Sequence, residues 1–291
     1  HKALNYWFTA KPVCLNWWYN QIGIPKTLGT VFILFEKQLT PVEKQNAITV
    51  MENAKFGMTG QNKVWLAGNV MMRALLQNDY ELVKMARDTI ASEIVTGGAE
   101  GIKDDWCFHQ HGAQQQFGNY GLSFVSGMSF FSGLFSGTSL AFDDKQLSIL
   151  STLIDKGYRW VIWKGMMDVN ALGRQLFHHA PVHKALSLAF AASELGGGES
   201  DECVAVATAL LRDNYPAPAV NVLTGHKHFW QSDYTIHRCP SWMASIKMAS
   251  DRIIGTEMMN GDNMKGYYMA DGATYILSLI HISEPTRRRG I

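Results

Sequence analysis

The hydrophobic pattern changes its period once along the chain, and this change constrains the fold most. Before residue 215 the apolar residues recur at helical spacing, whereas after Pro216 and Pro218 short segments of aromatic and β-branched residues alternate with Gly, Asn and Asp. Successive helices with little strand pattern between them must pack on other helices. The pattern therefore predicts α/α hairpins, as an open array or a closed toroid, followed by antiparallel strands.

The clearest start signal of a helix lies at Thr40, where Thr40 and Glu43 have the spacing of a capping box and Pro41 occupies the first helical position. Comparable apolar periodicity follows in several later segments. We predict further helices at 62–79, 79–95, 143–163, 183–195 and 200–214, and strands at 220–222, 229–236, 242–247 and 267–276.

These elements predict three regions. Residues 1–214 form an N-terminally truncated helical domain, and 215–280 form the beginning of an antiparallel β domain that is truncated at its C-terminus. Residues 281–291, HISEPTRRRGI, do not continue the preceding pattern, so we predict a non-native tail.

Composition excludes some classes of protein. A net charge of +1 argues against a uniformly basic nucleic-acid-binding surface, so an acidic ligand must be recognised locally.

No apolar run is long enough to span a bilayer. The chain begins at His1 instead of a start methionine or an export signal, so we expect the true N-terminus to be missing, and no signal peptide is present in this fragment. Four distant cysteines indicate buried thiols rather than a zinc ribbon or a disulfide framework.

Residues 105–121, DWCFHQHGAQQQFGNYG, are the least core-like segment. Their amide and imidazole groups would all need partners if they were buried, which favours a concave, polar ligand site. His109 and His111 also have the spacing of a metal-binding pair, but no acidic or cysteine ligand lies at a familiar spacing. We predict no metal site and no cofactor, and an ordinary hydrogen-bonded role for His109 remains open.

Three adjacent aromatic residues in Asn16-Trp17-Trp18-Tyr19-Asn20 require at least one ring to face away from a helical core. An exposed indole can stack on the apolar face of a pyranose, and the flanking amides can bind hydroxyl groups. A tryptophan pair packed between helices is the alternative.

Six segments occur in the order found in polysaccharide lyase family 8, from Asn16 to about Tyr275. They are NWWYNQIGIPKTLG, TGQNKVWLAGN, DDWCFHQHGAQQQFGNYGLSF, DVNALGRQ, FWQSDYTIHR and EMMNGDNMKGYYMADGATYI. The chain thus resembles a family that contains chondroitin AC, hyaluronate and xanthan lyases. The resemblance implies an α+β multidomain fold, in which an incomplete (α/α) toroid precedes the beginning of an antiparallel β-sandwich.

The resemblance also implies a site in a cleft between the two domains. Asn62 and His111 match residues that contact the uronate, and Tyr120 matches the residue beside the scissile bond. Arg174 and Glu257 match the two remaining catalytic positions of the family. The implied catalytic residues are Asn62, His111, Tyr120, Arg174 and Glu257, and the implied substrate-binding residues are Asn16, Trp17, Trp18, Gln110, Asn119 and His178.

These residue types suit β-elimination from a uronate. Removal of H5 places charge on the carboxylate, which Asn62 and His111 can stabilise by hydrogen bonds that strengthen as the charge develops. Tyr120 would take H5 and return a proton to O4, and Arg174 would favour its phenolate form. Glu257 is expected to position Arg174 or Tyr120, and an exposed carboxylate at a strand end is the alternative.

One position departs from the family pattern. His178, followed by His179, stands where a second arginine is expected about one turn after Arg174. A neutral imidazole binds an anion more weakly than a bidentate guanidinium, so the preference for sulfated substrates is expected to differ. Arg238 and Arg252 are alternative cations.

The expected function is that of a carbon-oxygen lyase acting on chondroitin sulfate or hyaluronan. We expect a secreted or periplasmic monomer of bacterial type that binds acidic polysaccharide, with no nucleic-acid partner and no membrane span. The alternatives are a glycoside hydrolase on an α/α toroid, for which the adjacent Asp104 and Asp105 are poorly placed to flank a bond, and a non-catalytic glycan-binding protein.

Overall fold

The computed structural model describes residues 1–195 and 223–278. The chain divides into two compact units, His1–Ile94 and Val95–Ile291. Several predictions lie outside the described residues: the domain boundary at 214/215, the helix at 200–214, the strand at 220–222 and the tail at 281–291.

The first unit is built from helices. The Thr40 hydroxyl accepts a hydrogen bond from the Glu43 backbone, and the Glu43 carboxylate accepts one from the Thr40 backbone, which confirms the predicted capping box. The predictions at 62–79 and 79–95 are confirmed, with ends that differ by a few residues. The helices are α1 (Lys2–Ala10), α2 (Ile24–Leu34), α3 (Pro41–Met51), α4 (Gly60–Gln77) and α5 (Tyr80–Ala91).

A cluster of buried side chains from four of these helices forms one core of the first unit. Phe8 of α1 stacks on Phe32 of α2, with ring centroids 5.9 Å apart. Met51 of α3 and Leu76 of α4 pack against them and are fully buried. Burial of such side chains contributes about 1.5–3 kcal/mol each, so this cluster fixes how α1 to α4 pack on one another.

The helical part of the second unit is less regular than predicted. Two short hairpins interrupt it, and the segment predicted as one helix at 143–163 breaks into shorter pieces. The elements are β1 (Gly101–Ile102), β2 (Phe108–His109), α6 (Leu122–Phe135), α7 (Asp144–Thr152), α8 (Arg159–Val161), β3 (Ile162–Trp163), β4 (Met166–Met167) and α9 (Ala180–Leu195). π-Helical turns at Phe117–Gly121 and Leu153–Tyr158 lead into α6 and α8.

A four-stranded antiparallel sheet follows, in the order β5-β6-β7-β8. The prediction at 242–247 is confirmed. The prediction of one strand at 229–236 is wrong, because Phe229 pairs with Tyr234 and the four residues between them form a turn. The strand predicted at 267–276 begins only at Ala273. The strands are β5 (Gly225–Phe229), β6 (Tyr234–Arg238), β7 (Trp242–Lys247) and β8 (Ala273–Ser278).

Buried hydrogen bonds join the helical part of the second unit to the sheet. Asn170 Nδ2 donates to Ser245 Oγ at 3.0 Å and to the Ala273 carbonyl at 2.8 Å. Arg238 donates to the Ile162 carbonyl at 2.7 Å, and Tyr234 donates to Asp168. Arg238 is therefore a structural residue here. Leaving any of these buried groups unpaired costs about 1–3 kcal/mol, so the two parts are held in one relative position.

His109 adds to this junction and makes it sensitive to acid. Its Nε2 lies 3.0 Å from Ser232 Oγ, and the side chain is buried. Burial lowers the pKa of His109 to about 4, and the positive charge of Lys103 acts in the same direction. An unfolded chain therefore binds the proton first as the pH falls.

We expect the free energy of unfolding to drop by about 3 kcal/mol between pH 6.5 and pH 4 because of this one side chain. The stabilisation by neutral His109 is complete above the pKa that this histidine has in the unfolded chain. It is lost as the pH falls towards the pKa of His109 in the folded chain. His109→Gln should remove this part of the pH dependence in urea unfolding, while His226→Gln on the exposed face of the sheet serves as the control. An unchanged slope in His109→Gln would contradict the assignment.

No helix in the described ranges combines the length and the apolarity needed to cross a bilayer.

Candidate active site

The Glu257 carboxylate joins residues from distant parts of the sequence. His111 Nδ1 lies 2.7 Å from Glu257 Oε2, and Arg174 donates to Glu257 Oε1. Gln116 donates to the same carboxylate at 3.3 Å, and the Glu257 side chain is only 10% exposed. The alternative of an exposed carboxylate at a strand end is therefore wrong, because the Glu257 side chain is largely shielded from solvent and the residue lies in the connection between β7 and β8.

Tyr120 lies against both partners of Glu257. Its ring centroid is 4.7 Å from that of His111 in an edge-to-face arrangement, and the Arg174 guanidinium carbon is 5.7 Å from the ring centroid. Tyr120 is 8% exposed and sits in the π-helical turn Phe117–Gly121. Such turns break the regular hydrogen-bond ladder and occur often at functional sites.

His111 is held in an unusual backbone conformation. Its φ of 61° is in the left-handed region, which a residue with a side chain seldom adopts. The Glu100 carboxylate accepts hydrogen bonds from the residues on both sides: the Gln110 side chain and the Gly112 backbone nitrogen, the latter at 2.9 Å. These bonds stabilise the turn that points the imidazole at Tyr120 and Glu257.

The segment that carries Glu257 is fixed at three places. The Ile254 nitrogen donates to the Ala113 carbonyl at 2.8 Å, and the Glu257 nitrogen donates to Gln114 Oε1 at 2.9 Å. Lys247, fully buried in β7, donates to Thr256 Oγ1 at 3.0 Å. The carboxylate is thus preorganised by its own backbone as well as by its ionic partners.

Charges around His111 act in opposite directions. Burial lowers its pKa, the Glu100 carboxylate raises it and Arg174 lowers it. The net effect is a lower pKa than usual, which favours the neutral imidazole at neutral pH. Arg174 is itself buried and has a second acidic neighbour, with its Nε 3.4 Å from Asp262 Oδ2.

Asn62 belongs to the first unit, whereas the other four predicted catalytic residues belong to the second. Asn62 lies in the first turn of α4 and is 5% exposed, and its Oδ1 has no hydrogen-bond partner among the described residues. The structure therefore brings together His111, Tyr120, Arg174 and Glu257, and the convergence of Asn62 with them stays a prediction.

The predicted aromatic platform also lies in the first unit. Trp17 is 44% exposed and Tyr19 is 51% exposed, which confirms that at least one ring faces outward. Trp18 instead packs edge-on against Trp65, with centroids 5.5 Å apart. Asn16 Oδ1 accepts a hydrogen bond from the Trp18 backbone at 3.0 Å, so this oxygen shapes the turn. Trp17 is therefore the more exposed of the two indoles.

The remaining predicted contacts have varied surroundings. Gln110 is buried and bound to Glu100, which favours a supporting role over direct contact with substrate. Asn119 is half-buried, and its Nδ2 lacks a hydrogen-bond partner among the described residues. His178 is exposed and its ring packs on that of His179 at 3.7 Å. No helix connects Arg174 to His178, so helical spacing does not relate the two side chains.

Several supporting residues were not predicted individually. Gln114 and Gln116 lie in the stretch recognised as polar, but their individual partners depend on a contact with residue 257 that no local pattern indicates. Glu100 carried no signal, whereas Lys247 lay in a predicted strand and Asp262 in a family segment, and neither pattern indicated a role in the site.

No group of three or more His, Cys, Asp or Glu side chains in residues 1–195 and 223–278 is placed to hold a metal ion. His109 and His111 serve different contacts, with Ser232 and Glu257 respectively. Among the described cysteines Cys107 is a buried thiol, whereas Cys14 and Cys239 are only half-buried.

Comparison with known proteins identifies relatives of both regions. The model of the polysaccharide lyase family 8 N-terminal alpha-helical domain matches residues 1–193, and that of the family 8 super-sandwich domain matches residues 224–279. The helices followed by an antiparallel sheet confirm the predicted α+β class.

Individual relatives agree with these matches. Chondroitinase-AC of Pedobacter heparinus is 29% identical over 94% of this chain and 40% of its own length. A hyaluronate lyase of Thermasporomyces composti is 27% identical over 89% of this chain and 38% of its own length. A solved structure of chondroitinase AC lyase with oligosaccharides superposes with a TM-score of 0.82, at 28% identity over 95% of this chain and 42% of that one.

The chain thus spans about two fifths of the length of these relatives. Since the first family model alone matches residues 1–193 of 291, the chain belongs to polysaccharide lyase family 8.

Proposed function

We propose that the chain carries the catalytic centre of a lyase that cleaves uronate-containing acidic polysaccharide by β-elimination and leaves a 4,5-unsaturated uronate. The observation that carries this proposal is the cluster in which Glu257 binds both His111 and Arg174 while Tyr120 contacts both of them. The cluster supplies a proton-transfer group, a cation and an orienting carboxylate, which are the parts that elimination requires.

Tyr120 is the proposed acid and base. As the phenolate it takes H5 of the uronate, the C5–H electrons form the C4–C5 double bond, and the C4–O4 bond breaks. The phenol then returns its proton to the departing O4. Arg174 favours the phenolate because a cation close to the ring stabilises the negative charge.

The contact between His111 and Glu257 supports a different role for His111 from the expected one of a hydrogen-bond donor to the uronate. Glu257 is paired with Arg174 and accepts hydrogen bonds, so the Nδ1 of His111 carries the proton between them. In the neutral ring Nε2 is then an acceptor, and the lowered pKa of His111 favours that neutral form. We infer that Nε2 receives the phenolic proton when Tyr120 becomes the base.

Asn62 is the proposed partner of the uronate carboxylate. Its side-chain amide lies in the first turn of α4, where the positive end of the helix dipole favours an anion. Its role rests on this position and on the match of TGQN to the family motif. Trp17, with its exposed indole, is the proposed platform for the sugar chain.

The proposed substrates are chondroitin sulfate and hyaluronan, since relatives named for each are 27–29% identical to this chain. Such polymers do not cross membranes, which supports a secreted or periplasmic enzyme. The pair considered for a hydrolase, Asp104 and Asp105, is not suited to flank a glycosidic bond, because Asp105 is buried and accepts hydrogen bonds from the backbone of Cys107 and Gln231 at 3.0 and 2.7 Å.

The test is incubation of the chain with hyaluronan, chondroitin sulfate, alginate and xanthan. We expect a rise in ultraviolet absorbance on at least one of the first two, because the unsaturated uronate absorbs where the substrate does not. New reducing ends without that absorbance would indicate a hydrolase. Binding of polysaccharide without either product would indicate a glycan-binding protein.

A further inference from the structure

Lys184 is a buried cation on α9, a position where an apolar side chain would normally pack. Its side chain is 7% exposed, and its ammonium group donates to the Gly118 carbonyl and, at 2.7 Å, to Gln175 Oε1. Burial lowers the pKa of Lys184 to about 8. Burying a charge is costly, so these two hydrogen bonds must offset a penalty that a methionine would not incur.

The two acceptors lie on the two segments that carry catalytic groups. Gly118 belongs to the π-helical turn that bears Tyr120, and Gln175 follows Arg174 directly. The two segments also touch through their backbones: a Cβ added at Gly118 would lie 2.8 Å from Leu172 Cα and 2.9 Å from the Ala171 carbonyl oxygen. Lys184 therefore ties together two backbone segments that already touch.

We propose that Lys184 is a positioning residue that fixes the turn carrying Tyr120 against the segment carrying Arg174. Through its hydrogen bonds to Gly118 and Gln175, Lys184 maintains the distance of 5.7 Å between the Arg174 guanidinium carbon and the Tyr120 ring centroid. The effect on turnover rests on the proposed lyase function, whereas the effect on the Tyr120 turn does not.

The described surroundings contain few other charges that could replace this one. The elements α6 and β4, which pack on α9, carry no ionisable side chain, and the ionisable residues of α7, Asp144 and Lys145, are exposed. The aromatic ring of Phe177 lies 5.7 Å from the ammonium nitrogen. On α9 itself the other ionisable side chains are His183 and Glu194, both exposed. The hydrogen bonds from Lys184 to Gly118 and Gln175 should therefore weaken as Lys184 loses its proton.

The test compares Lys184→Met, which keeps the length and removes the charge, with Lys184→Arg, which keeps the charge. Lys145→Met on the exposed face of α7 is the control. We expect kcat of Lys184→Met to fall by about 10-fold to 100-fold, the effect of a small misplacement of catalytic groups, with KM changed far less. Lys184→Arg should recover most of the loss. In the parent chain kcat should decline above about pH 8, and Lys184→Met should lack that decline.

A second measurement is independent of turnover. In protein labelled with ¹³C in its tyrosine rings, the Tyr120 signal, identified by its loss in Tyr120→Phe, should shift or broaden in Lys184→Met and remain unchanged in Lys145→Met. A parent-like Tyr120 signal in Lys184→Met would overturn the proposal whether or not the chain cleaves any polysaccharide. Equal losses in kcat for Lys184→Met and Lys184→Arg would overturn it as well, whereas a shifted signal in a chain without lyase activity would reject only the proposed function.

Discussion

Replacement of Tyr120 by phenylalanine is expected to lower turnover by about 10³-fold or more while polysaccharide binding is retained. The change removes one hydroxyl group and leaves the ring, so the contacts with His111 at 4.7 Å and with Arg174 at 5.7 Å persist. The variant can no longer take H5 or protonate O4. The measurement is the rate of ultraviolet absorbance increase at saturating substrate, together with the dissociation constant for a substrate oligosaccharide.

Tyr158→Phe is the matched control for this variant. Tyr158 is also buried, and its hydroxyl donates at 3.1 Å to the carbonyl of Phe117, in the same turn that carries Tyr120. Its loss should cost about 1 kcal/mol of stability and reduce turnover far less. A Tyr120→Phe variant that keeps a tenth of the parent rate would exclude Tyr120 as the proton-transfer group. Equal losses in the two variants would indicate that the turn, and not the Tyr120 hydroxyl, is what matters.

A capping box or a periodic apolar face in the sequence was enough to predict a helix. The capping box at Thr40 and the periodic pattern of α4 gave both helices within a few residues. Helix α6 was not predicted, because LSFVSGMSFFSGLF is apolar on most of its circumference and contains two glycines. It also grows directly out of a π-helical turn instead of beginning at a capping residue. Periodicity and caps carry no information about such a helix.

The strand errors have a similar physical origin. The run from Phe229 to Ile236 is apolar and aromatic at both ends, but Asp233 adopts a positive φ of 45° that allows a tight turn. Aspartate tolerates this conformation better than most residues, which a propensity for strands does not reveal. The pairing of Phe229 with Tyr234 then stacks the two rings, with centroids 5.7 Å apart.

The site required information beyond local pattern. Composition indicated a polar ligand site in residues 105–121, but His111 and Glu257 are 146 positions apart, and only the order of family motifs suggested that they act together. Contacts that depend on tertiary placement, such as those of Gln114 with Glu257 and of Lys184 with Gly118, could not be predicted from the sequence. The residues that support the site were therefore harder to find than those expected to touch the substrate.

Replacement of Glu257 by glutamine is expected to lower turnover by about 10³-fold although the side chain keeps its size. Arg174 and His111 bind different oxygens of the Glu257 carboxylate, and an amide keeps an acceptor oxygen at only one of these two places and puts an NH2 donor at the other. If the oxygen faces the charged Arg174, the amide nitrogen faces His111 and donates to Nδ1. The proton of the neutral imidazole then moves to Nε2, and the acceptor proposed for the phenolic proton of Tyr120 is lost. Holding a catalytic histidine in the wrong tautomer costs up to about 10⁴-fold in a well-studied protease.

Asp262→Asn provides a matched control, since Asp262 is the second carboxylate beside Arg174, at 3.4 Å, and its side chain is 44% exposed. It should reduce turnover only modestly, because solvent screens an exposed ion pair and His111 keeps its partner.

The ¹⁵N signals of His111 distinguish the tautomers directly: Nδ1 should be protonated in the parent chain and in Asp262→Asn, and Nε2 in Glu257→Gln. A Glu257→Gln variant with the parent tautomer and at least a third of the parent rate would show that Glu257 does not orient His111. Loss of activity with the parent tautomer would instead assign the effect to Arg174, whose buried charge is then left without a full counter-charge.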